Sequence, residues 1–305
     1  MNKIPVVFCF DDNLVMQAGV CMTSLLFHAN HDTFYDIYIF HSNNARFPET
    51  RYLDKLKSAY PKCSISYKNV GVSFNKAYET RGITIATYYR LLIPDILPQY
   101  EKVFYFDVDI IFRNDLTEVY NSDLTDYYVA GVATPISDIT DYVNLEIGMQ
   151  ITEYICGGTL LFNSKKIRED NLIPKFIEQA KVNRRFQDQD VLNIVCKGKI
   201  KTLPPWFGMV GTIHEIFADP NQKYYSEQEV KYALKKGILH YNGGKPWIYF
   251  CYNFDIWWEY YRKSIFFDLQ HYHNFYVRKM REYDTLPLMK RVKILVKYFI
   301  HGRLK

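Results

Sequence analysis

The chain opens on an apolar run, Ile4 to Phe10, that meets Asp11, Asp12 and Asn13. A run of this length bounded by polar residues predicts a buried strand over 4–10. Helical spacing follows over 17–29, then a second apolar strand over 35–40. The alternation continues with a helix over 48–59, Pro48 sitting in its first turn, and a short strand over 64–67. The segment RGITIATYYRLL predicts a helix over 81–92 stopped by Pro94. Strands are expected over 103–109 (VFYFDVD), 127–133 and 156–163 (CGGTLLFN), with helices over 171–180 and 188–195. Beyond Lys201 the pattern changes to Pro- and Gly-rich loops around Pro204, Pro205 and Trp206; residues 238–241 then lead into a glycine turn, and an aromatic-rich helical stretch covers 254–283. Alternating strands and helices predict an α/β fold with a Rossmann-like, mostly parallel central sheet and flanking helices. No repeat or linker interrupts 1–250, and 251–305 reads as a helical C-terminal extension.

Ligands of such sheets sit beyond the carboxyl ends of the strands. Two of the predicted strands end in carboxylates, at Asp11–Asp12 and at Asp107 and Asp109. Alternate strand positions face the same way, so Asp107 and Asp109 can share a site while Val108 stays in the core. Neighbouring carboxylates repel each other and resist desolvation unless a positive charge lies between them. A hard divalent cation meets both demands and leaves positions for phosphate oxygens. On this segment alone, a solvated strand end carrying ordinary acids stays open.

His240 offers a nitrogen donor that would tilt such a site toward manganese over magnesium, although a lone histidine is more often structural and spacing alone does not bring it to Asp109. Gly243 and Gly244 expose backbone amides, and Lys245 adds a charge, together a cradle suited to a diphosphate. Neither GxxxxGK[ST] nor GxGxxG is present, which disfavours a P-loop enzyme and a dinucleotide-binding dehydrogenase. In Phe186-Gln187-Asp188-Gln189-Asp190 one acid is explained as a helix cap, and the amides suit sugar hydroxyls. Arg90, after Tyr88 and Tyr89, is either solvated or a phosphate contact.

Composition narrows the setting. With 305 residues, 48% hydrophobic and 23% charged, the chain is globular and able to bury a large core. Aromatics reach 17%, including 27 Tyr and 21 Phe, enough to supply platforms for sugar rings or bases beyond core filling. Six cysteines without a CxxC pair fit reduced thiols of a cytoplasmic protein. The start does not resemble a signal peptide, and no run is long enough to span a bilayer. Net charge is +5, and the last acid is Asp284. Lys290, Arg291, Lys293, Lys297, Arg303 and Lys305 then interleave with bulky apolar residues, a pattern suited to an anionic membrane interface and less to nucleic acid; a plain helix docked on the body stays open.

Taken in order, VVFCFDDN, ATYYRL, VFYFDVD, CGGTLLFN, FQDQDVLN and HYNGGKPW are similar to the landmarks of glycosyltransferase family 8, from about Ile4 to Trp247. That family comprises retaining sugar-nucleotide transferases with the GT-A fold; the likeness is to bacterial lipopolysaccharide and lipooligosaccharide galactosyl- and glucosyltransferases. The resemblance implies Mn²⁺ (or Mg²⁺) bound by Asp107, Asp109 and His240, and a UDP-galactose or UDP-glucose donor. It implies uracil and ribose held by Asp11 and Asn13 beside the Cys9 backbone, a diphosphate contact at Lys245, donor-binding positions at Val108 and Gly243, and a donor-side role for Arg90. Asp188 and Gln189 would line the sugar pocket, Gln189 beside the reacting carbon. A glycan or lipid-linked acceptor, a cytoplasmic location and peripheral attachment to the inner face of the plasma membrane follow in the same way. An inactive sugar-nucleotide-binding relative and a protein-directed glucosyltransferase stay open. Cys156 replaces a frequent asparagine, a sugar-contacting acid is replaced near Thr134, and the turn after His240 is one residue shorter. Both replacements are expected to bear on hexose choice and to leave the metal pair untouched.

Overall fold

The first apolar run forms β1 (Asn2–Cys9), buried from Ile4 onward because strands flank it on both sides and helices cover both faces. It pairs in parallel with β2 (Thr33–His41), and β2 in turn with β3 (Cys63–Asn69). On its other side lies β4 (Lys102–Phe106), also parallel. β4 runs antiparallel to β7 (Ile155–Asn163), and β7 antiparallel to β6 (Val129–Ala133). β8 (Ile200–Thr202) closes the sheet parallel to β6, giving the order β3-β2-β1-β4-β7-β6-β8. A separate antiparallel ribbon joins β5 (Ile110–Ile111) to β9 (Leu239–His240). The computed structural model describes residues 2–74, 77–78, 85–133, 135, 137–219 and 222–301.

One face of the sheet packs on α1 (Val15–Phe27) and the helix Phe254–Lys263 around Phe104, Phe106 and Phe207. The opposite face holds Tyr88, Tyr89, Tyr105, Phe162, Val191 and Leu192. Trp257 and Trp258 are fully buried; Trp258 lies 4.5 Å from Phe275, ring to ring, and donates its indole N–H to the Pro246 carbonyl at 3.0 Å. The start of the C-terminal extension therefore belongs to the main core, and losing one such ring costs about 3–5 kcal/mol.

Several expectations are corrected. The helix expected over 48–59 is three short turns (Phe47–Thr50, Tyr52–Lys55, Leu56–Ala59), because Arg51 adopts a left-handed φ of 46° between the first two. Within 81–92, residues 81–84 lie outside the described residues, and Ile85–Leu92 is a 3₁₀ helix. Pro94 does not end the helical path: it sits in the first turn of Ile93–Ile96, where its missing N–H costs nothing. The strand expected over 103–109 stops at Phe106, so Asp107 and Asp109 lie in the bend between β4 and β5 and not on a regular strand. The stretch 254–283 breaks at Ser264 into Phe254–Lys263 and Leu269–Asp284, the second capped by the Asp268 carboxylate. Two helices, Gly211–Ala218 and Glu227–Lys236, occupy the region read as loops; the second carries a complete Ser226–Glu229 capping box. The tail is helical over Leu288–His301, and no described helix is long and apolar enough to cross a membrane.

Candidate active site

The bend after β4 is tied at both ends. The Asp107 N–H donates to the Gly158 carbonyl of β7 at 2.9 Å, and the Asp109 carbonyl accepts from the Tyr241 N–H, just past β9, at 2.9 Å. Val108 is buried between them. This double tether turns both carboxylates toward His240, whose Nε2 lies 3.5 Å from Asp107 Oδ2 and 3.3 Å from Asp109 Oδ1. The three donors lie within 4.8 Å of one another. His240 Nε2 and Asp109 Oδ1 are buried without a hydrogen-bond partner. A Cβ added at Gly158 would stand 2.2 Å from His240 Cε1 and 2.5 Å from Asp107 Oδ2, so glycine keeps this space clear. Two carboxylates, one imidazole and two orphaned lone-pair atoms fit a divalent cation of the Mg²⁺ or Mn²⁺ type.

Charges balance around the cluster. Arg90, 3% exposed, donates from Nη2 to Asp107 Oδ1 at 3.1 Å, from Nη1 to the Gly157 carbonyl, and pairs through Nε with Asp188 at 3.0 Å. Its guanidinium stacks 4.1 Å over the Tyr105 ring, and the Tyr105 hydroxyl donates to Asp107 Oδ1 at 2.6 Å. Lys245 Nζ donates to Asp109 Oδ2 and to the Tyr241 carbonyl. Burial opposes charge at Asp107 and Asp109, yet Arg90 and His240 at the first and His240 and Lys245 at the second hold both carboxyls below the ordinary range. Burial likewise disfavours a charged His240, but Asp109 and Asp107 hold its pKa well above the ordinary value, so a cation bound here would take the place of a proton. Asp188 goes the other way: burial pushes it up to about 6, with Arg90 opposing and Asp107 adding to the rise.

A cavity of about 650 Å³ opens on this cluster. Its wall includes Cys9, Asp11, Arg90, Asp107, Val108, Asp109, Asp188, Gln189, His240 and Lys245, so one pocket gathers most of the residues singled out in the sequence. Gln189 Oε1 accepts the Gly157 N–H at 2.9 Å, which fixes the amide against β7. Two residues fall outside this wall. Asn13 is exposed in a 3₁₀ turn, its N–H bound by the Asp11 carboxylate; Gly243 lines an adjoining cavity of about 330 Å³ that shares His240 and Asn242. Asp12 is structural, accepting the Arg46 and Phe47 N–H groups. Asp190 is the structural acid of its segment, bound by Tyr142, Tyr154 and the Phe186 N–H.

Sequence reading missed Tyr105 and the steric role of Gly158, although paired glycines opening an apolar strand signalled close approach. Cys156, expected to leave Asp107 and Asp109 untouched, has its sulfur 3.9 Å from Nδ1 of His240, the third candidate ligand. Thr134 lies outside the described residues.

The pattern that defines glycosyl transferase family 8 matches residues 5–251, which include the whole cavity wall. A putative glycosyltransferase of Haemophilus influenzae is 32% identical over 180 residues, 55% of this chain and 53% of that protein. A lipopolysaccharide 1,2-glucosyltransferase of Escherichia coli is 23% identical over 172 residues, 53% of this chain and 49% of its own length. The chain thus spans about half the length of these curated relatives. Among solved structures, galactosyltransferase LgtC in complex with donor and acceptor sugar analogs shares the fold, with a TM-score of 0.72 at 24% identity over 86% of this chain and 96% of that one. With a family pattern covering this much of the sequence and a fold to match, the chain belongs to glycosyl transferase family 8.

Proposed function

We propose that the chain transfers a hexose, galactose or glucose, from a UDP-sugar to a hydroxyl of a glycan acceptor in cell-surface polysaccharide or lipopolysaccharide biosynthesis, with retention of anomeric configuration. The observation that carries this reading is the convergence of Asp107, Asp109 and His240 beneath Gly158, at the floor of a cavity that Arg90, Asp188, Gln189 and Lys245 also line. Asp107, Asp109 and His240 would hold Mn²⁺ or Mg²⁺, which supplies Lewis-acid charge to the departing diphosphate.

The remaining work falls to the chain's own side chains. Arg90 is fixed by Asp107, Asp188 and the Gly157 carbonyl, so its charge needs no reorganisation as negative charge develops. Lys245, on the loop after β9, adds a second cation beside Asp109. Cys9 and Asp11, at the end of β1, line the same cavity, which supports a nucleoside contact there. Gln189 is a neutral amide already engaged by Gly157, hence a weak nucleophile. This favours attack by the acceptor hydroxyl on the face that UDP leaves, its proton passing to the departing phosphate oxygen. The helix Leu288–His301 exposes Leu288, Met289, Val292, Leu295, Val296, Phe299 and Ile300 among basic residues, which supports peripheral attachment to an anionic cytoplasmic membrane face.

The test is a UDP-hexose panel with Mn²⁺, reading UDP release with and without oligosaccharide acceptors. Asp109→Asn should lose at least about 100-fold, more than the removal of an outer partner of a ligand costs. Full activity in that variant removes the cation role. A folded wild type that releases no UDP from any hexose donor is instead a sugar-nucleotide-binding relative without transfer.

A further inference from the structure

Three residues that line the cavity each carry a buried side-chain atom without a hydrogen-bond partner among the described residues: Asp109 Oδ1, His240 Nε2 and Gln187 Oε1. The first two belong to the candidate cation cluster. The third has no such account. Gln187 is 1% exposed, begins the helix Gln187–Val195, and holds a left-handed φ of 46° that a non-glycine residue rarely adopts. Its amide nitrogen donates to the Tyr78 carbonyl at 3.2 Å. A carbonyl can only accept, so that bond fixes which end of the amide is nitrogen and leaves the oxygen as the unused end. A buried acceptor without a partner and a strained backbone are both unfavourable, and such strain concentrates at ligand sites. Both fall on one residue, next to Asp188 and two positions before Gln189 in sequence.

We propose that Gln187 is a specificity-determining residue of the donor cavity, its Oε1 accepting a hydrogen bond from one hydroxyl of the transferred hexose. The proposal rests on the UDP-hexose reading and deepens it. A neutral carbonyl oxygen accepts O–H and repels phosphate oxygens, so the diphosphate is excluded as its partner. A site built to bond a hydroxyl discriminates strongly against the analogue lacking it, since the protein acceptor is then left unpaired.

The experiment measures affinity and kcat/KM for the preferred UDP-hexose and its mono-deoxy analogues, alongside UDP alone, all with Mn²⁺. Wild type should penalise one deoxy analogue by about tenfold or more. In Gln187→Met that penalty should collapse toward parity while UDP affinity is unchanged. Gln187→Glu keeps a carbonyl acceptor and, protonated, can still donate to the Tyr78 carbonyl, so the same penalty should persist. The proposal is overturned if Gln187→Met retains every wild-type penalty, if wild type penalises no analogue, or if UDP affinity falls in step with hexose affinity. Should Gln187→Met not fold, a penalty abolished in Gln187→Glu overturns it equally. Wild type that binds UDP yet no UDP-hexose fails the donor reading itself, a result visible before any variant is compared.

Discussion

Gly158→Ala is the sharpest probe of the cation cluster. The added methyl would lie 2.2 Å from His240 Cε1, 2.5 Å from Asp107 Oδ2 and 2.9 Å from His240 Nε2, where real Cβ contacts essentially never fall below 3.0 Å. The gap between 2.2 and 3.0 Å is the least the imidazole must retreat, and little around it can yield. The His240 N–H is bound to the Met209 carbonyl at 3.0 Å, its strand is paired with β5, and Asp107 is held by Arg90 and Tyr105. Overpacking of this kind costs about 1–3 kcal/mol, which a core of this size survives, so the variant should fold. A displacement of about 1 Å at reacting groups costs about 100-fold, and the same shift pulls Nε2 off a cation shared with the carboxylates. Mn²⁺ affinity, read by electron paramagnetic resonance on the purified protein, and UDP release should each fall by about 100-fold or more, with a single, lowered unfolding transition. Gly211→Ala, where an added Cβ meets nothing within 4 Å, should stay within about twofold of wild type. Mn²⁺ binding by Gly158→Ala equal to that of wild type would refute the assigned cluster.

Cys156→Val removes the sulfur beside His240 Nδ1 and should weaken Mn²⁺ binding by about 10–100-fold, while Cys156→Asn should retain it; unaltered binding in the valine variant rules out the contact as an orienting one. Burial, with a smaller contribution from Arg113, brings the His214 pKa down to about 4, so the folded state takes up its proton less readily than the unfolded state. Its stability contribution is therefore complete above the ordinary value of 6.5 and lost as pH falls toward 4, up to about 3 kcal/mol. In urea titrations His214→Phe, which keeps a ring against Tyr252, should flatten that acid loss; an unchanged slope places the effect elsewhere. Ending the chain after Leu286 removes the basic helix and should cut binding to phosphatidylglycerol vesicles at about 1 kcal/mol per lost cation, leaving transfer to soluble acceptors intact; undiminished vesicle binding refutes the membrane role.

What could be read from the sequence divides along physical lines. The central strands were legible because burial on both faces makes them continuous apolar runs, and runs of that kind need no knowledge of partners. The antiparallel placement of β7 beside β4 was not, since strand direction depends on where the chain returns and not on local pattern. Arg51 and Ser264 interrupted apparently continuous helices through single backbone conformations that residue type does not encode. The Ser226–Glu229 box, by contrast, was present as Ser-x-x-Glu and could have revealed a helix. At the site, donor types were readable from the residues, whereas their convergence came from the family resemblance and not from spacing: His240 reaches Asp109 through the β5–β9 ribbon, two residues per strand. The orphan oxygen of Gln187 needed coordinates altogether, because a buried amide and a solvated one look alike in sequence.

That ribbon also sets a timetable. Its two halves come from distant parts of the chain, so most of the intervening sequence must be synthesised and collapsed before the histidine can meet the acids. Nascent or clipped chains that end before β9 have two of the three candidate ligands, and the Trp258 to Pro246 bond holds the adjoining lysine loop to a still later helix. On the proposed function, the cavity is therefore complete only once the chain has extended past Trp258.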